Sequence, residues 1–313
     1  MAVRGDLITT GSVRPGPAQS TAGDFATWGP VHVDVTDEQR SLAFWREVIG
    51  LELRDQSAAG IRLGVADADL LELHPGAARP AMRGYSGLYH LAIHLPSEAE
   101  FARALGRLLT LRVRNAPTDH IMHWATYLDD PDGIGLELSF ETLDRFGGYL
   151  EGGRGMGIVD TGGRLRRATD TLDLEEVFSH LGDRELDRPL PAGTRIGHVH
   201  LHVDAIEPAL AFYETVGFVP NLNLDIGMAD MTAAGGFPHR LALNTWQGAG
   251  APRPPAGTAG LRNLSLALRS AGELAAAIGR LETAGVELAE DGDGGLLVRD
   301  PAGNATALAS LED

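Results

Sequence analysis

Short runs of alternating apolar and polar residues recur along this chain, and each passes into a helical period. Val31-His-Val-Asp-Val35 alternates with period two, as a half-buried strand does; apolar spacing of three and four follows over about Glu38 to Val48 and stops at Gly50. Strands are predicted near Ile61–Val65 and Asp69–Leu73. The order repeats. A second unit has a strand over Tyr89–Leu95, a helix near Glu98–Leu109 and strands near Trp124–Leu128 and Gly135–Phe140. A third opens with Gly197-His-Val-His-Leu-His-Val203 and continues into a helix over about Glu207–Val216. A fourth has a strand at Leu264–Leu268 and a helix near Ala271–Ala284, stopped by Gly285. Residues of about 143–192 form a Gly/Arg/Asp-rich connector with one helix near Asp173–Leu181, capped by Thr171 or Asp173.

The units are copies of one another. Gly87-Leu-Tyr-His90-Leu-Ala-Ile returns as Gly260-Leu-Arg-Asn263-Leu-Ser-Leu, and Asp130-Pro-Asp-Gly-Ile-Gly-Leu-Glu137-Leu as Asp300-Pro-Ala-Gly-Asn-Ala-Thr-Ala307-Leu. Ser41-Leu-Ala-Phe-Trp-Arg-Glu-Val-Ile-Gly50 returns as Ala209-Leu-Ala-Phe-Tyr-Glu-Thr-Val-Gly217, and counting back equally from that pair sets Pro30 opposite His198. One set of positions therefore holds His90, Glu137 and His198, and its counterpart holds Asn263, Ala307 and Pro30. Two imidazoles and a carboxylate are the ligands of a non-haem iron site; the counterpart set cannot hold a metal. A period this long marks a duplicated domain rather than a solenoid.

Composition narrows the class. The length of 313 residues suffices for two domains with sizeable cores. A net charge of -17 argues against nucleic acid or an anionic membrane as partner, since both would repel it. No apolar run reaches the ~20 residues of a membrane span, and residues 1–28, rich in Gly, Ser, Thr and Pro, lack the apolar stretch of a secretory signal and are expected to be flexible. The absence of cysteine excludes disulfides, thiolate metal sites and cysteine nucleophiles, and fits a cytoplasmic protein.

Together, Ile196-Gly-His-Val-His-Leu-His-Val203, Gly87-Leu-Tyr-His90, Tyr127-Leu-Asp-Asp-Pro-Asp-Gly133 with Glu137, and Pro238-His239-Arg-Leu-Ala-Leu-Asn244-Thr-Trp246 resemble the vicinal oxygen chelate superfamily, in particular its two-domain catechol 2,3-dioxygenase-type (extradiol) members. The resemblance implies an α+β fold of four βαβββ units. Residues 29–142 would form a first domain (units 1 and 2) and 193–310 a second (units 3 and 4), joined by the 143–192 connector. It also implies metal ligands His90, Glu137 and His198, with His239, on a late strand, as acid/base and Tyr127, ten residues before the ligand Glu, as hydrogen-bond partner of substrate. The implied metal is iron(II), with manganese(II) accepting the same donors. The implied partners are a small aromatic diphenol and O2, and the oligomeric state is open, a homo-oligomer included. Because the ligands are split across the duplication, unit 2 is expected to pair with unit 3 and unit 1 with unit 4.

Other readings compete. A single His on a strand is more often buried and hydrogen-bonded than a ligand. His200 and His202 share a strand face with His198 and would be structural unless the register slips by two. His74, His94, His120, His123 and His180 are taken as structural or surface, with His120 near enough to line a pocket. Many extradiol enzymes carry another His four residues before the position of His120, where this chain has Ala116, so substrate placement is less firmly implied than the metal. A glyoxalase-like isomerase or lyase would use Glu72, His90 and Glu137, with His32 as a fourth ligand. His32, however, stands two residues beyond Pro30, about 6.6 Å along the strand, and His198 and His239 would have no role. A non-catalytic drug-binding resistance protein would need no triad at all.

Overall fold

A computed structural model describes residues 13–15, 23–150, 157–182, 185–224, 226–290 and 295–312. Of the segment expected to be flexible, residues 1–12 and 16–22 lie outside the described residues; within the remainder, the first long strand already begins at Ala26 and buries Trp28. The alternation predicted for this strand is present: Val31, Val33 and Val35 are fully buried, and His32 and Asp34 face the other way. The helices stand where the spacing put them, at Glu98–Thr110, Ile206–Val216 and Ala271–Thr283. Helix Glu38–Ala43 continues as a π-helical turn, Phe44–Ile49, before Gly50 takes a positive φ of 97°. Ser97 and Ser270 cap helices Glu98–Thr110 and Ala271–Thr283 by accepting from Glu100 and Glu273 N–H, each cap contributing about 1 kcal/mol.

Unit 2 and unit 3 build one sheet. Its nine strands run Asp170–Thr171, Ala116–Asp119, His123–Asp129, Gly135–Glu141, Gly87–His94, Arg195–His202, Leu241–Asn244, Met228–Thr232 and Val219–Leu224. Units 4 and 1 build a second sheet of eight: Ala289–Glu290, Leu296–Arg299, Ala305–Ser310, Gly260–Leu268, Ala26–Val35, Ala68–Pro75, Ile61–Val65 and Glu52–Gln56. In both sheets the two first strands meet antiparallel at the centre and each pairs in parallel with its own unit's last strand. Neither 29–142 nor 193–310 closes a sheet on its own. This is the pairing that the split ligand set requires, and we call the two sheets inner (units 2 and 3) and outer (units 1 and 4). Apolar residues of both sheets, among them Trp28, Leu91, Val199 and Leu266, merge into one core.

The connector is more ordered than its composition suggests. Its helix, Leu174–Ser179, is capped by Asp173. Phe146–Leu150, Gly157–Asp160 and Leu165–Arg167 join Val13–Pro15 in a small third sheet. Buried Arg103 and Arg107 on helix Glu98–Thr110 donate to the carbonyls of Leu186, Arg188, Pro189 and Ile49, which pins the connector's end to the core. No helix among the described residues is long and apolar enough to cross a membrane.

Candidate metal centre

His90, Glu137 and His198 converge on one face of the inner sheet. Each is set there by strand register. His90 lies on the central strand Gly87–His94, Glu137 on its parallel neighbour, and His198 on the antiparallel strand across the unit boundary. Nε2 of His90 and Nε2 of His198 stand 3.3 Å apart, and each is 3.2 Å from Oε2 of Glu137. The Glu137 and His198 side chains are 0 % exposed and that of His90 6 %.

Two bulges aim these side chains. Tyr89 is an extra residue between Leu88 and His90, opposite Leu201 and His200, and Gly197 is an extra residue between Ile196 and His198, opposite Ile93 and Ala92. A bulge re-aims the side chains beside it, and here one flanks each imidazole ligand. Gly197 has a second role. A Cβ there would lie 2.0 Å from the His94 ring, so only glycine lets that ring reach His198.

The contact it permits fixes the chemistry of His198. Glu141 can only accept, so Nδ1–H of His94 donates to its Oε1 (2.7 Å). Nε2 of His94 is then the acceptor for Nδ1–H of His198 (3.0 Å), and the lone pair of His198 Nε2 is left facing Glu137. Arg195 and Arg240 hold Glu141 at 2.6 and 2.9 Å. Burial would raise the Glu141 pKa, but His94 and the two arginines outweigh it and hold the carboxyl far below the carboxylate range. Burial, opposed by Glu141, lowers His94 to about 4, so its ring is neutral at pH 7. His198 is likewise pushed well below 6.5 by burial.

Glu137 is the clearest sign of a cation. Both its oxygens are buried and within 3.2 Å of imidazole nitrogens, yet neither accepts a hydrogen bond. A buried carboxylate without partners is costly. The donor set fits a divalent metal by its spacing. Bonds of about 2.1 Å put adjacent donors about 3.0 Å apart in an octahedral set and about 3.4 Å apart in a tetrahedral one, and the observed 3.2–3.3 Å lies between.

Around this triad stand groups that can move protons. His239 lies not on a strand, as expected, but just ahead of strand Leu241–Asn244, with its ring 4.7 Å from that of His198. Its Nδ1–H donates to Asp230 Oδ2 (3.0 Å), which leaves Nε2 as a base, and Asn221 holds the other Asp230 oxygen. Tyr127 is the register partner of Glu137. His120 Nδ1–H donates to the Ala168 carbonyl, so its Nε2 accepts the Tyr127 hydroxyl proton at 2.8 Å. Burial lowers His120 to about 4, and burial together with Glu137 raises Tyr127 well above 10. His200 and His202 are not in the triad: Asn244 bonds both, donating to His200 Nε2 and accepting from His202 Nδ1.

The expectation that His94 and His123 are merely structural does not hold for their positions. His94 orients His198, and His123 Nε2 lies 3.2 Å from Glu137 Oε1. The signal for His94 and Glu141 was available, since each stands four residues after a ligand on the same strand and so on the same face. Asp230 and His123 carried no comparable signal. Glu72 does not join His90 and Glu137; it lies on the outer sheet beside His32 and His74.

A profile of the Glyoxalase/Bleomycin resistance protein/Dioxygenase superfamily matches residues 29–138. A Bacillus subtilis (strain 168) protein named Catechol-2,3-dioxygenase is 33% identical over 281 residues, 88% of this chain and 94% of that one. The chain belongs to this superfamily. Among solved structures of the superfamily's fold, a putative dioxygenase from Bacillus subtilis aligns with a TM-score of 0.57 at 14% identity, over 91% of this chain and 85% of that one. Glyoxalase I from Zea mays aligns with a TM-score of 0.51 at 16% identity, over 93% and 95%. At these identities the structural likenesses speak for the fold alone.

Proposed function

We propose that this chain is an extradiol dioxygenase that inserts both atoms of O2 into a catechol-type diphenol, opening the ring beside the two hydroxyls rather than between them. The observation that carries the reading is the buried His90/Glu137/His198 triad, drawn from two units, with unpartnered carboxylate oxygens and two proton-handling pairs beside it. Bound there, iron(II), or manganese(II) in its place, would supply a redox-active Lewis acid with open positions for a diphenol and O2.

The residues around it have separable tasks. His239, held by Asp230, takes a proton from a substrate hydroxyl through Nε2 and returns it later to oxygen. Tyr127 hydrogen-bonds the substrate oxygen, and its own proton is held by His120. Tyr89 and Trp246, partly exposed, 5.4 Å apart and both beside the His200 ring, offer ring faces against which an aromatic ring can pack. The neutral imidazoles of His94, His198 and His200 keep the site free of the positive charge that would repel a cation.

Anaerobic loading with Fe(II), followed by air and a panel of catechols, tests the reading. Yellow ring-opened product with one O2 consumed per ring is expected. No turnover of any diphenol by protein carrying a full complement of iron would overturn it.

A further inference from the structure

The outer sheet has lost the counterparts of the triad, yet three side chains of metal-ligating types meet on one of its faces. His32, on strand Ala26–Val35, is the register partner of Glu72 on strand Ala68–Pro75, and His74 follows two residues later on the same face. Nδ1 of His32 stands 3.2 Å from Nε2 of His74. Oε2 of Glu72 is 3.8 Å from His32 Nδ1, and its Oε1 is 3.7 Å from His74 Nε2. We infer that His32, Glu72 and His74 form a second metal site, for a divalent transition metal of the zinc class.

Local structure orients this cluster. The hairpin between strands Glu52–Gln56 and Ile61–Val65 closes over it, and the Ala59 carbonyl accepts Nδ1–H of His74 (2.9 Å). That bond fixes the tautomer and points the Nε2 lone pair at His32 and Glu72, as backbone carbonyls do for metal-ligating imidazoles. The next residue, Gly60, packs against the carboxylate: a Cβ there would lie 2.5 Å from Glu72 Oε1. Any larger residue would force the Glu72 side chain to shift from the position it holds. One hairpin tip therefore sets two of the three donors.

The site is new in its make-up as well as its place. Glu72 matches Glu137, since each pairs with the residue two beyond the first-strand ligand position, His32 beyond Pro30 and Ala92 beyond His90. The imidazoles do not match. His32 and His74 correspond in unit 3 to His200 and Asn244, which bond each other. Unit 1 thus carries a carboxylate where unit 3 has Ala242, and the nitrogen donors come from positions other than those of the inner triad. Two imidazoles and a carboxylate suit zinc, and a site with three protein ligands keeps a position open. Side-chain exposures of 21 % for His32, 17 % for Glu72 and 9 % for His74 give an ion a route in.

The full chain, stripped of metal, is titrated with Zn(II), and with Co(II) for its visible absorption. Two sites are expected in the unaltered protein, one in the His90→Ala/His198→Ala protein, and one in the His32→Ala/His74→Ala protein. His74→Gln keeps a donor for the Ala59 carbonyl and serves if the alanine pair does not fold; it should weaken the outer site at least tenfold and leave the inner one as it was. In the His90→Ala/His198→Ala background, zinc should raise the melting temperature, and adding Glu72→Gln should abolish that rise. If that background binds no zinc at micromolar concentration, or binds one ion that His74→Gln does not weaken, the inference is overturned.

Discussion

Replacing Gly197 with alanine tests how the inner site is built, because the added methyl group touches no ligand. Gly197 does not have a left-handed φ, so alanine can adopt its backbone, and the nearest atoms its Cβ would meet are those of the His94 ring, at 2.0 Å. Ordinary contact needs about 3.4 Å, so the ring must retreat by about 1.4 Å, and a 3.0 Å hydrogen bond to His198 then stretches past the ~3.5 Å at which it ceases to be one. Losing such a supporting partner typically costs 10–100-fold in metal affinity, or about 1.4–2.7 kcal/mol. Overpacking adds about 1–3 kcal/mol to the loss of stability. Competition for Fe(II) or Zn(II) against a calibrated chelator measures the first quantity, and denaturant unfolding of the metal-free protein the second. The His94→Ala protein should show the same affinity loss, and the Gly197→Ala/His94→Ala double variant no more than either alone, because both act through one contact. Affinity of the inner site unchanged within twofold in Gly197→Ala would refute the orienting role of His94, as would additive losses in the double variant.

Other expectations follow from the same geometry. His90→Ala, Glu137→Ala and His198→Ala should each abolish metal binding at the inner site, while Asn263→Ala and Pro30→Ala leave it intact; measured by plasma emission in the His32→Ala/His74→Ala background, the first three should retain no metal after desalting. Tyr127→Phe should keep the metal but lower kcat by about 10–100-fold with little change in affinity for the diphenol, as expected for a group acting on the reacting oxygens. Asp230→Asn should lower kcat through the wrong His239 tautomer, seen by oxygen-electrode kinetics. Stability of the metal-free protein should fall as pH drops from 6.5 through 4. His94 and His120 titrate near 4 when folded but near 6.5 when unfolded, so the unfolded chain takes up protons first, at a cost of up to about 3 kcal/mol each. Chemical denaturation at a series of pH values would show this slope, and a flat profile over that window would contradict the buried neutral rings.

The primary structure by itself determined a good deal. Period-two and helical spacing place most strands and all four long helices, because burial of one face is written into local alternation. The internal repeat exposes which copy kept His90, Glu137 and His198 and which holds Asn263, Ala307 and Pro30. The split of that triad across the duplication even requires unit 2 to meet unit 3, and the strand order joins them. What only the tertiary structure decided depends on register and on contacts between distant residues. Alternation says that His94 shares a face with His90, but not that a bulge at Gly197 brings its ring onto His198. His239 and Asp230 are nine residues apart and meet through a turn whose shape no period encodes. His123 reaches Glu137 only because two antiparallel strands set it there. The grouping of His32, Glu72 and His74 depends on a parallel pairing across about forty residues and on a hairpin tip that folds back over them. Local patterns record which face is buried; which side chains meet on the open face is fixed by strand register and loop path, and those follow from the packing of the whole chain.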